Sequence, residues 1–76
     1  MTPPELVVAR VFHSDPASIT DDTGAGSIDG WDSLGHVMLM AELEQAYGIS
    51  LSADQTIGLT SVRAIREHLA ERGVRW

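Results

Sequence analysis

Between Leu34 and Tyr47 the apolar residues fall on two opposite sides of a helix, not on one. At about 100° per residue, Leu39, Met40, Leu43 and Tyr47 share one side, and Leu34, Val37, Met38 and Ala41 lie roughly opposite. Glu42 and Gln45 border the second stripe, and Glu44 sits near the boundary with the first. A surface helix of a small domain needs only one apolar stripe. Two stripes imply either a central helix buried on both sides or a helix with one face in the core and one left for docking. The chain has 76 residues and is expected to form a single domain over residues 1–76. A domain of this size buries roughly 60–65% of its unfolded surface, so little material is left to cover both sides. Docking is the favoured reading, because an apolar patch rimmed by polar residues tends to mark an interaction site. Met38 suits such a face, since a flexible thioether adapts to varied partners; Met40 reads as a core gap-filler.

The remaining segments are shorter. Thr2-Pro3-Pro4-Glu5 has the form of a capping box with proline at the first helical position, and it predicts a first helix through Phe12. The β-branched content of Leu6–Phe12 also suits a strand; the cap and the prolines decide for the helix. Residues 14–31 form a long connection broken by Asp15-Pro16 and Thr23-Gly24-Ala25-Gly26. A loop this long in a compact domain has to be pinned, and Ile19, Ile28 and Trp31 are the apolar candidates. Gly48 ends the Leu34–Tyr47 helix, with Ile49 placed for the accompanying apolar contact. Ile49–Ser52 alternates but has no partner strand, so it reads as an extended connection. Residues 52–57 make one short helical turn ended by Gly58. Thr60 or Ser61 caps a last helix to about Glu71, with Val62, Ile65 and Leu69 as its stripe. Arg63 and Glu67 are spaced as an i, i+4 pair. The fold class is all-α: a small four-helix bundle of three main helices and one short one, with a long loop between the first two. Trp76 receives no role.

Charge narrows the partners. The net charge is −6, and no Lys or Arg occurs between His13 and Val62. Nucleic acid is a poor partner for such a surface; a basic protein surface complements it, with charge raising encounter rates more than affinity. No apolar run reaches the roughly 18 residues of a membrane span, and no secretory signal opens the chain. There is no cysteine, so any thiol chemistry has to use a thiol brought by a cofactor. These features suit a monomeric cytoplasmic protein, and Met1 suits a free-standing one.

Ser33 stands at the positive end of the Leu34–Tyr47 helix, beside Asp32. Two other chemistries are rejected there. Residues 21–32 resemble a calcium loop, but Ala25 cannot ligate at its fifth position and Thr23 stands at the third; no metal site is expected. Asp32, Ser33 and His36 invite a catalytic triad, but there is no G-x-S-x-G elbow, and a bundle this small has little room for an oxyanion site and a dry pocket. No catalytic residue is assigned, and Ser33 reads as a covalent attachment point. His36 reads as a boundary histidine in preference to a contact for a partner or a bound phosphate, and His13 and His68 as surface or boundary residues.

The stretch Trp31-Asp32-Ser33-Leu34-Gly35-His36-Val37, followed by Leu43-Glu44-Gln45-Ala46-Tyr47-Gly48-Ile49 and by Leu59-Thr60-Ser61-Val62, resembles the acyl carrier protein family. The similarity runs from Glu5 to Leu69, and the order of helices is the family's. The resemblance implies that Ser33 carries 4′-phosphopantetheine, installed from coenzyme A by a magnesium-dependent phosphopantetheinyl transferase. The arm's thiol would then hold acyl groups as thioesters for loading and processing enzymes. It also implies that Asp32 supports the site and helps position the transferase's metal. Leu34, Val37, Met38 and Ala41, with Glu42 and Gln45 at their border, fall on the family's partner-recognition helix. Many members carry acidic residues in the first turns of that helix; here they are Gly35, His36 and Met38, which makes recognition more apolar. Two alternatives stand beside this reading: a carrier of aminoacyl or peptidyl groups, and an unmodified adaptor docking through the same helix.

Overall fold

In the computed structural model, which describes residues 1–76, the chain runs through α1 (Pro4–Phe12), a 3₁₀ turn (Pro16–Ser18), α2 (Ser33–Tyr47), α3 (Ala53–Gly58) and α4 (Val62–Glu71). The expected all-α bundle is found; the extended contact is a single bridge between Gly24 and Ser61. No helix is long and apolar enough to cross a membrane.

The first helix starts differently from expectation. Its N-cap is Pro3, in extended conformation, and no side chain caps it. Two consecutive prolines contribute no N–H, which leaves fewer orphan donors to satisfy, and Leu6 and Val7 bond directly to the Pro3 carbonyl. The box from Thr2 to Glu5 therefore does not form. Glu5 instead pairs with Arg66 of α4, whose guanidinium also lies 3.6 Å from Asp21 and 5.3 Å from the Trp76 ring centroid.

The other helix ends follow local chemistry. Asp32 caps α2, its Oδ1 accepting from Gly35 N at 2.9 Å. Gly48 closes the helix at φ 65°, its N–H on the Glu44 carbonyl, and the Ile49 amide reaches that same carbonyl at 3.2 Å. Ser52 and Gln55 form a reciprocal capping box on α3. Ser61 Oγ accepts from Ala64 N at 3.1 Å to cap α4. The two donors ahead of Ala64 are met by the long loop: Val62 N bonds Thr23 O and Arg63 N bonds Asp21 O, both at 2.9 Å. This seam is tight. A Cβ on Gly24 would lie 2.4 Å from the Thr60 carbonyl oxygen. Arg63 does not make the expected pair with Glu67; it reaches Asp22 at 2.6 Å, a fully exposed contact of small energetic weight.

α1 packs against α2 and α4. The core comprises Val7, Val8 and Ala9 of α1, the Leu39, Met40, Leu43 and Tyr47 stripe of α2, and Val62, Ile65 and Leu69 of α4. Ile19 and Trp31 enter it from the loop and Leu59 from the connection before α4, with Ile28 packed against it. The second α2 stripe stays outside: Leu34, Val37 and Met38 are exposed, as is Ala41. By contrast with the other helices, α3 buries no residue.

Tyr47 closes the far end of α2 by donating to the Thr2 carbonyl at 2.6 Å. Burial, then the nearby Glu5 carboxylate, push its phenol from 10.0 up to about 12. The folded state thus disfavours the phenolate. The stabilisation is complete below pH 10, the unfolded value, and is lost as pH rises from there through the folded value. Tyr47 is the only tyrosine, and all five basic residues are arginines, so nothing else titrates strongly in that window. Stability measured by denaturant titration is expected to fall by about 1–2 kcal/mol between pH 10 and 12, and Tyr47→Phe should flatten that decline. An equal decline in both proteins would contradict the assignment.

Candidate functional site

Ser33 is the first residue of α2 and is exposed. The loop before it is shaped by Gly30, at φ 93°, and by the Gly26 amide bonded to the Trp31 carbonyl at 2.9 Å. Trp31 is 1% exposed. It stacks on Phe12 at 5.6 Å between ring centroids and on His36 at 6.3 Å. One residue later the chain is back at the surface, where Asp32 caps the helix and Ser33 begins it.

The first turn of α2 lies hard against this loop. A Cβ on Gly35 would stand 1.7 Å from the Gly30 carbonyl oxygen and 2.8 Å from Phe12 Cε1. Only glycine lets the helix approach so closely. In the sequence Gly35 stood out only for lacking an acidic side chain; the structure gives it a packing reason.

The Asp32 carboxylate is turned to the Gly35 amide, and the Asp32 carbonyl accepts from His36 N at 2.7 Å. The amides of Ser33 and Leu34 have no acceptor within the helix, as expected of a first turn. They stand at the positive end of the dipole, where an anion is favoured. A cleft of about 530 Å³ adjoins Ser33, bounded by Ala25, Gly26, Trp31, Asp32 and His36. An exposed hydroxyl, two free amides and an adjoining cleft fit a phosphodiester-linked arm; the Asp32 carboxylate opposes its charge.

Both ring nitrogens of His36 are engaged. Its Nδ1 accepts from Trp31 Nε1 at 3.0 Å, and its Nε2 lies 2.7 Å from the Thr56 carbonyl. These partners fix the tautomer: Nδ1 is the acceptor, and Nε2 carries the proton and donates. Asp32, Ser33 and His36 are neighbours in space without hydrogen bonds among their side chains. Asp21 and Asp22, the start of the calcium-like loop, turn toward Arg66 and Arg63. No three His, Asp or Glu side chains converge on a common point.

Around Ser33 the outward face of α2 is apolar and uncharged. Leu34 is 70%, Val37 65% and Met38 54% exposed; Ala41 and Gln45 are exposed beside them. Glu42 lies at the edge of this face, its Oε1 3.1 Å from Arg10 of α1. At the other edge Glu44 accepts from Leu51 N at 2.7 Å, which holds the connection into α3. Sequence reasoning missed Ile57, which is 73% exposed on α3. A signal was available: Ala53 and Asp54, the residues four and three before it, offer an isoleucine little apolar company within its own helix.

The architecture is thus an all-helical scaffold that presents one serine at a helix start, beside a cleft and an uncovered apolar face. Residues 6–69 match the family model described as the phosphopantetheine attachment site, and the chain belongs to that family. Membership makes it a carrier-family protein, with a covalently attached phosphopantetheine as its prosthetic group and a phosphopantetheinyl transferase as the enzyme that supplies it. No curated protein matches the sequence.

Proposed function

We propose that the chain is an acyl carrier protein that holds 4′-phosphopantetheine on Ser33. The observation that carries this reading is the position of Ser33: exposed at the first residue of α2, next to the cleft, inside the span matched by the family model. In the transfer, Ser33 Oγ attacks the pyrophosphate phosphorus of coenzyme A that bears the pantetheine. The Oγ–P bond forms, the bond to the bridging oxygen breaks, 3′,5′-ADP leaves and the serine proton passes to base or water. Asp32 supports the step by ordering the helix start and by offering a carboxylate to the transferase's magnesium. Once bound, the arm supplies the thiol that the cysteine-free chain lacks. The aspartate directly before Ser33 favours acyl over aminoacyl cargo. The test of this reading is intact mass after incubation with coenzyme A and a broad-specificity transferase, where one added phosphopantetheinyl group supports it.

Leu34, Val37, Met38 and Ala41, bordered by Glu42 and Gln45, form the surface that partner enzymes engage. The protein works as a cytoplasmic monomer, presenting its cargo to loading and processing enzymes through basic or apolar docking surfaces. Met38→Glu places a charge in the middle of this surface and removes apolar area worth roughly 1.5 kcal/mol or more when covered. It is expected to weaken partner binding about tenfold or more while leaving the melting temperature nearly unchanged, because Met38 is over half exposed. A large drop in melting temperature would place Met38 in the core and contradict the docking role.

A further inference from the structure

α3 is held differently from the other helices. None of its six residues is buried, so apolar burial within the helix does not fix it to the core. Its attachments are the Glu44–Leu51 bond before it, buried Leu59 after it, an exposed Arg72–Gln55 contact at 2.9 Å, and the His36 Nε2–Thr56 carbonyl bond at 2.7 Å. Only the last joins the body of α3 directly to α2. It does so from a residue three positions after Ser33, on a ring stacked against buried Trp31. His36, Val37, Ala41 and Thr56 together line a cleft of about 250 Å³ between the two helices. Ile57, the most exposed large apolar residue of α3, follows Thr56 directly.

We propose that His36 is a positioning residue for the transfer onto Ser33: by tying α3 to α2 it holds Ile57 in place as part of one docking surface for the phosphopantetheinyl transferase. The proposal rests on Ser33 being the attachment point. The occupant follows from adjacency. An active site that closes on Ser33 Oγ has to cover Leu34 and Val37, one and four residues further along the same helix, and the cleft that Val37 lines leads to Thr56. Recognition of an apolar surface built from two elements depends on their relative position, and a six-residue helix without a buried anchor does not keep that position unaided. His36 gives the position a directional bond backed by an aromatic stack in the core.

The two ring nitrogens allow the tie to be separated from the support that His36 gives Trp31. In His36→Asn the side-chain oxygen stands near the Nδ1 position and can still accept from Trp31, but the side chain is too short to reach the Thr56 carbonyl. In His36→Gln the amide nitrogen stands near the Nε2 position and can donate to Thr56. Steady-state kinetics of a broad-specificity transferase are measured with the carrier as varied substrate and saturating coenzyme A. His36→Asn and Ile57→Ala are each expected to raise KM about tenfold, the effect of losing about 1.4 kcal/mol of binding, with kcat within twofold of wild type. His36→Gln should stay within about threefold of wild type in KM. The double variant His36→Asn/Ile57→Ala should be no worse than either single variant by more than about twofold, because both remove the same contact. Amide hydrogen exchange should show faster exchange at residues 56–58 in His36→Asn, with protection of α1, α2 and α4 retained.

A wild-type KM for His36→Asn overturns the proposal, as does a defect confined to kcat or a fully multiplicative double variant. The opposite ranking, with Gln impaired and Asn tolerated, also overturns it and shows that His36 serves only the Trp31 stack. Any of these results in the variants, alongside wild type that is modified at Ser33, overturns the positioning role and leaves the carrier reading intact. Wild type that accepts no phosphopantetheine overturns both.

Discussion

Trp31→Ala is expected to cost about 3–5 kcal/mol of folding stability, a large part of what a small domain has to spare. The indole is 1% exposed, lies between Phe12 and His36 with both rings nearly parallel to it, and satisfies its N–H on His36 Nδ1. Alanine would leave a cavity between α1, the loop and the start of α2, and would strip His36 of its donor. The backbone there has little freedom to close the gap, because Gly30 and Gly35 are already in contact through the Gly30 carbonyl. Denaturant titration followed by far-UV circular dichroism is the measurement. A loss below about 1 kcal/mol would mean that the loop is not anchored by this residue. Since Trp31 stands two residues before Ser33, the same substitution is expected to slow modification through loss of the ordered helix start.

The second large effect is all-or-none. Ser33→Ala removes the one nucleophilic atom that the proposed attachment needs, and it should do so without structural cost. Ser33 is exposed at the first position of α2, while the capping is done by Asp32. Several other serines use their hydroxyls inside the fold: Ser18 on the Asp15 carbonyl, Ser27 on Gly24, Ser52 and Ser61 as helix caps. Modification by the transferase is therefore expected to vanish in Ser33→Ala, with the thermal midpoint shifted by no more than a few degrees, the equivalent of about 0.5 kcal/mol for a surface change.

Much of the fold was legible because its signals are local. Gly48 and Ser61 satisfy helix-end groups within a few residues of themselves, so their meaning does not depend on distant chain. The two stripes of α2 were legible for the same reason: periodicity shows which residues share a side, and the structure buries one stripe and leaves the other out. The features that escaped are non-local. The Thr2–Glu5 box lost to a pair of prolines that need no cap and to Arg66, sixty-one positions away from Glu5. Arg63 chose Asp22, forty-one positions distant, over Glu67 one turn on, because the loop carbonyls that cap α4 also bring Asp22 to its first turn.

The site divides in the same way. Ser33 at a helix start beside Asp32 was visible in the sequence, as was the apolar stripe that begins at Leu34. The close approach that demands Gly35, the two partners of His36 and the exposure of Ile57 were not, since each depends on a loop or a helix packed from elsewhere in the chain. Glu42 borders the exposed stripe of α2, as the periodicity indicates, but its carboxylate is engaged by Arg10, a pairing that helix periodicity cannot show. Trp76 gains a place against Arg66 that nothing in its terminal position suggested.

Whether Ser33 carries the phosphopantetheine arm is read from intact mass and peptide mapping. Wild type and Ser33→Ala are incubated with coenzyme A, magnesium and a broad-specificity transferase. One added phosphopantetheinyl group is expected in wild type, mapped to the peptide containing Ser33, and none in the variant. A mass gain in Ser33→Ala, or unmodified wild type with several active transferases, would contradict attachment at Ser33.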